Sequence, residues 1–398
     1  MEIDSQIQQA TPDSENEHVL LERKLYQHDP LLVLFRDKLH VNNSWMTVGI
    51  AVLTAIVLLI LPTLAGPAFD LRGRSWDHTL RPLFQTAVLF PLIFLLYLIF
   101  PKSIADLFIT LKDIILKDNE SIGERPQNQG DSKSYERLLQ KLVSLADSGW
   151  WTGGALLFIA FYWIYRLAVI DPELQPSKLE PLWLRVAILF IYSPIIYASF
   201  MSIVRSLAAL LFTRKVFNIF TIHIKPLHPD GSGGLGTVGN MLMISAGVMI
   251  TMGIAILVMN ASFLLGNTTS FSQFEGILLA TIYVILVPAI LIGWLWIPHK
   301  VMVEDRDAVL HEVAAQFQLT FQEMVSSPHN DIKSITTNTR HLSRLKARYE
   351  LLKEIFPTWP LEVVQIRRLV VLAILPAIGA ILPVIFSILV ILAKNLLK

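Results

Sequence analysis

Hydrophobic positions collect into seven long runs, at 46–66, 83–100, 150–170, 184–212, 237–265, 276–298 and 369–393. Each run is continuously apolar, so each predicts a helix and not an alternating strand. About 20 helical residues cross a hydrocarbon core, and lipid offers backbone groups no partner. The runs therefore read as transmembrane helices, and their continuity excludes a β-barrel. The expected fold is all-α: a polytopic bundle of about seven spans with a helical hairpin on the cytoplasmic side. Pro376 and Pro383 fall inside the last run and offer it a break into a re-entrant hairpin.

The segments between runs are patterned too. Residues 1–45 form a cytoplasmic N-terminal segment. Its first 17 residues are too polar to offset ordering entropy and predict disorder. Leu20, Leu21, Leu31, Leu32, Leu34 and Phe35 predict a short interfacial helix over 18–42, interrupted at Pro30. Helical spacing at Ile104, Leu107, Phe108, Leu111, Ile114 and Ile115 carries the second span onward, and cytoplasmic helices are expected over 104–146. Residues 300–368 are the one substantial module between spans. Leu310, Val313, Ala314, Phe317, Phe321 and Met324 form one stripe; Leu342, Leu345, Tyr349, Leu352 and Phe356 form another. Ser326 to Asn338, with Pro328, breaks the stripes apart, and an antiparallel hairpin over 301–360 follows.

Charge sets the orientation. Hydrophobic residues make up 53% and charged residues 16%, where soluble chains are roughly a quarter charged. With the N-terminus inside, Lys and Arg divide 24 inside to 7 outside, and Arg166 and Arg205 within helices complete the 33. Basic residues are retained in the cytoplasm, so the expectation is a multi-pass protein of the cell inner membrane, N-terminus cytoplasmic and C-terminus outside. The polar N-terminal segment has no signal-peptide core. Zero cysteines exclude disulfides and thiol chemistry, and a net charge of +1 gives no case for nucleic acid.

The sharpest local signal is His228-Pro229-Asp230-Gly231-Ser232-Gly233-Gly234-Leu235-Gly236, between the fourth and fifth runs. Gly231, Gly233 and Gly236 match G-x-G-x-x-G, but no βαβ unit surrounds them, and no Lys-Ser/Thr makes a Walker loop. The glycines permit positive φ, and the loop opens a helix whose N-terminal amides favour an anion: phosphate, lipid headgroup or carboxylate. The alternative is a Pro-Asp-Gly turn with glycines for close packing. His223, His228, Asp230 and His299 share the cytoplasmic side but fit no standard metal spacing, and neither metal nor cofactor is expected. This loop, with Pro357-Thr358-Trp359-Pro360 before the last run, resembles a set of bacterial polytopic membrane proteins of unassigned function. The resemblance implies a recurrent architecture and no activity.

Gly239, Ala246, Gly253 and Asn260 recur every seven residues in the fifth run, with Asn240 beside them. Small residues let helices approach closely; around an axis of several copies, the same face would line a pore. No Asp or Glu falls inside a run, which argues against proton- or sodium-coupled transport. Arg205 inside the fourth run must snorkel, pair or line water, and on a pathway it would favour anions. No catalytic motif names a reaction. The expected function is an oligomeric, anion-leaning channel or pore in the bilayer. The alternatives are an enzyme or lipid-headgroup binder using His228 and Asp230, and a non-catalytic scaffold binding a partner through 301–360.

Overall fold

The computed structural model describes residues 12–38, 49, 84–121, 128–170, 182–264, 270–326, 332–361, 365–371 and 378. Among these the chain is helical, with no strand. α1 (Pro12–Lys24) and α2 (Pro30–Leu32, extended by the wider turns of Val33–Lys38) precede the bundle. The bundle comprises α3 (Phe90–Ser121), α4 (Asn128–Ala146), α5 (Gly149–Tyr165), α6 (Leu182–Ile219), α7 (Gly236–Leu264) and α8 (Ser270–Ser326), and α9 (Ile332–Ile355) returns along α8.

Four of the described helices are long and apolar enough to cross a membrane: Phe90–Ile115, Leu189–Ile219, Gly236–Val258 and Leu278–Ser326. The run at 150–170 is helical, but its α-helical part is 17 residues, with Arg166–Ile170 continuing in wider turns. The runs at 46–66 and 369–393 lie almost wholly outside the described residues. α1 begins at Pro12, inside the segment whose composition predicts disorder; the chain breaks before Pro30, where proline takes the first position of α2.

α8 shows why membrane and polar parts meet in one helix. Its 57 residues span about 86 Å at 1.5 Å each, nearly three times a hydrocarbon core of ~30 Å. Ala280, Tyr283, Val287, Ile290 and Trp294 form a buried stripe at helical spacing. Ile282, Ile285, Ile292 and Trp296 form a second, exposed one. A helix apolar on both sides, with one side uncovered, has the surface of a lipid-facing span. Beyond Trp296 the sequence turns polar and the helix becomes an arm of the hairpin. Leu310 and Val313 on α8, with Leu342 and Leu345 on α9, are buried where the arms meet.

Close approach inside the bundle rests on small residues. A Cβ on Gly293 of α8 would stand 2.8 Å from Leu210 of α6, and one on Gly247 of α7 would stand 3.5 Å from Leu96 of α3. Ser206 of α6 donates to Ser245 of α7 at 2.9 Å, and Trp294 Nε1 donates to Ser206 at 3.3 Å. Such bonds contribute about 0.6 kcal/mol each between membrane helices. They set the register of α6, α7 and α8.

Candidate functional site

Two polar junctions tie distant stretches of the chain to the bundle. The first is built on Asp29. Its Oδ1 caps α2, accepting from Leu31 N at 3.1 Å and Leu32 N at 3.3 Å. Its Oδ2 accepts from Tyr97 Oη at 2.6 Å and from Arg205 Nη2 at 2.7 Å. The guanidinium also stands 5.4 Å from the centroid of the Tyr97 ring. Asp29, Tyr97 and Arg205 are each 0% exposed, so an N-terminal carboxylate neutralises the cation inside the fourth apolar run. Arg205 Nε and Nη1 have no hydrogen-bond partner among the described residues.

Further ties strap residues 17–36 across α3 and α5. His28 N donates to both oxygens of Asp147, at 3.1 and 3.0 Å, and its Nδ1 lies 2.8 Å from Oδ2. Thr152 Oγ1 donates to His28 O at 3.1 Å. Burial pushes the Asp147 carboxyl above its ordinary range, against the lowering effect of the His28 hydrogen bonds and charge. Arg36 Nη2 donates to Leu98 O at 2.7 Å, Arg36 pairs with Glu22, His18 with Asp106, and Lys112 with Glu17.

The second junction is the glycine-rich loop. Asp230 accepts from Ser232 N at 2.9 Å, Gly234 N at 3.1 Å and Gly236 N at 3.0 Å, and its Oδ1 lies 2.7 Å from His228 Nδ1. Burial alone would raise this carboxyl; the amides of Gly234, Ser232 and Gly236, with His228, outweigh it and hold the carboxyl below its ordinary value. The amides opening α7 thus point at an anion that the chain itself supplies. This requires φ of +65° at Gly231, +66° at Gly233 and +98° at Gly234.

The loop is also a clamp. A Cβ on Gly233 would fall 2.2 Å from Ile224 Cγ2 and 3.2 Å from Pro357 Cγ, and one on Gly239 would fall 2.6 Å from Pro360 O. Ser232 Oγ donates to Pro360 O at 3.0 Å. His299 Nδ1 lies 2.7 Å from Thr358 O, with its ring stacked on Trp359 at 3.8 Å and 15°. Asp305 accepts from Ile224 N at 2.8 Å and lies 3.2 Å from His223 Nδ1. The stretches 228–236 and 357–360 therefore meet, joining the start of α7 to the end of the hairpin.

The other candidate residues fall as follows. Gly239, Ala246 and Gly253 are buried within the single chain, whereas Asn240 is exposed. Asn260 belongs to α7, with its side chain outside the described residues. His223, His228 and His299 each have a separate partner, and among the described residues no three His, Cys, Asp or Glu side chains gather as a metal site. Asp29 and Asp230 already hold full sets of internal donors, which leaves neither placed as a base toward a substrate. Sequence reading missed Asp29, Tyr97, His28, Asp147 and Asp305. Asp29-Pro30 carried the signature of a helix start, but no local signal tied it to a residue 176 positions away. No protein-family model, curated protein or solved structure matches this chain.

Proposed function

We propose that this protein is a membrane-anchored scaffold: a multi-pass bundle in the cell inner membrane that holds the helical hairpin of 301–360 in the cytoplasm as a docking element. One observation carries the reading. α8 continues from a lipid-type span into the hairpin, whose far half leaves Leu319 63%, Phe321 48% and Val325 67% exposed, with Ile335 at 45% on α9, and whose near half leaves Leu351 of α9 57% exposed. Large apolar side chains on a rigid, polar arm outside the bilayer fit a protein partner. The second junction supports it by fastening the base of the arm to the bundle, through Asp305 to Ile224 and Ser232 to Pro360.

The other readings draw less support. A pore lined by α7 needs its small-residue face, yet Gly239, Ala246 and Gly253 pack inside one chain. An anion bias needs the charge of Arg205, which Asp29 balances. A headgroup site at the loop needs the amides that Asp230 occupies. The test is photo-crosslinking of the full chain in native membranes from single sites at Leu319, Leu351 and the lipid-facing Ile285. The reading predicts protein adducts from the first two and lipid adducts alone from the third. Lipid adducts alone, or no adducts, from all three would remove it.

A further inference from the structure

The two arms of the hairpin carry opposite charge. Over 301–326, α8 holds Glu304, Asp305, Asp307, Glu312 and Glu323 against Arg306, a balance of −4. α9 holds Lys333, Arg340, Arg344, Lys346, Arg348 and Lys353 against Glu350 and Glu354, a balance of +4. Among the described residues no ion pair joins the two arms. The hairpin's ion pairs among them are Lys300–Glu304 and Arg306–Asp307, both within α8, and Asp305 with His223 at the base of the hairpin.

Helical spacing shows where the unused charges lie. Glu312, Leu319 and Glu323 are exposed on one stripe of α8, opposite the buried Leu310 and Val313. Arg340, Arg344, Arg348 and Leu351 are exposed on one stripe of α9, opposite the buried Leu342 and Leu345. Three arginines at four-residue steps repel one another along a helix unless carboxylates face them. The hairpin is thus two-ply, acidic on one outer side and basic on the other, with an exposed leucine in each stripe. The levels match as well. Glu312 lies 14 residues before Ser326, and Lys346 lies 14 residues after Ile332, so Glu312 stands level with 344–348.

Resting on the scaffold reading, we propose that the partner of this hairpin is a second copy of the chain, the acidic stripe of one copy seated on the basic stripe of the next. A bilayer holds all copies at one depth and in one direction, which keeps these levels aligned. An interface joining two different faces is heterologous, and in the proposed assembly each upright copy is turned against the last so that the contacts close as a ring about the membrane normal. A two-fold contact would set acid on acid. The ring therefore holds at least three copies.

Native mass measurement of the full chain in mild detergent at low salt reads the copy number directly. The expected result is a closed oligomer of three or more that loosens as salt rises. Arg344→Glu and Glu312→Arg, each exposed and each compatible with a folded chain, abolish assembly singly; placed together in one chain they restore it. A monomeric or dimeric wild type, single variants that still assemble, or a folded double variant that stays monomeric overturns the proposal. The crosslinks separate it from the reading it rests on. Adducts from Leu319 to the same chain support both. Adducts to a different protein, with a monomeric chain, overturn the copy contact and leave the scaffold standing. A monomer that retains nucleic acid on its arginine stripe overturns the copy contact and assigns that stripe to a different class of partner.

Discussion

Removing the Asp29 carboxylate strands Arg205, a guanidinium with no exposure, inside the bundle. Asp29→Leu takes away the Nη2 partner, the acceptor for Tyr97 Oη and the cap of α2. Breaking a buried pair by removing one partner costs about 3–5 kcal/mol, because the remaining charge is left uncompensated. Arg205→Met leaves Asp29 its two backbone donors and Tyr97, so its cost sits at the low end of that range. The double variant removes both charges and replaces them with apolar bulk, which is often neutral. The two single effects should therefore exceed the double effect by at least about 2 kcal/mol of coupling. The assay is unfolding by denaturing detergent from mixed micelles, followed by tryptophan fluorescence, on wild type, both single variants and the double. Strap release is read beside it, as trypsin cleavage after Arg23 and Lys24. Both single variants should speed that cleavage, and the double should restore protection. Additive destabilisation with no coupling, or a harmless Asp29→Leu, would refute the reasoning.

The loop gives three further expectations. Asp230→Ala frees the amides of Ser232, Gly234 and Gly236 and should cost about 1–2 kcal/mol, as a lost helix cap does. The folded carboxyl is depressed, so its contribution is complete above the ordinary carboxylate pKa of about 3.9 and is lost as pH falls through the lower folded value; melting temperatures of wild type and Asp230→Ala should converge only at that acidic end. Gly231→Ala should cost only the left-handed backbone, about 1–2 kcal/mol, since its φ is +65° with open space around it. Gly233→Ala should cost at least about 1–3 kcal/mol more, because its new Cβ would fall 2.2 Å from Ile224 Cγ2; equal losses in thermal unfolding would contradict the clamp.

Legibility followed the range of the interactions. Continuous apolar runs announce helices because lipid-facing and core-facing sides are both apolar, and α8 bears this out with its two stripes. The hairpin was partly legible because 3.6-residue periodicity is local: Leu310, Val313, Leu342 and Leu345 of the two stripes are buried, whereas Phe321, placed on the first stripe, is exposed, and the second arm begins at Ile332, within the expected break. Pro30 marked its break for the same reason, by removing an N–H. The Asp230 turn was half legible. Pro-Asp-Gly reads as a turn, but the reach of one carboxylate to three amides depends on three positive φ angles that glycine permits without dictating. The Asp29–Arg205 pair was not legible, since an Asp in a polar segment looks solvated until the strap folds back. Likewise, Gly239, Ala246 and Gly253 fit close packing or a pore equally well in sequence, and only the placement of Pro360 and α3 distinguishes an internal face.

In the proposed topology the strap and the hairpin share one face of the membrane, the cytoplasmic one. The chain holds zero cysteines, so single cysteines report without background. Leu20→Cys on α1, Ser343→Cys on α9 and Asn267→Cys between α7 and α8 should be compared with a membrane-impermeant thiol reagent on intact and permeabilised cells. The proposed topology has Asn267→Cys labelling in intact cells, whereas Leu20→Cys and Ser343→Cys label only after permeabilisation. Labelling of Leu20→Cys and Ser343→Cys from opposite sides, or of Ser343→Cys in intact cells, would contradict it.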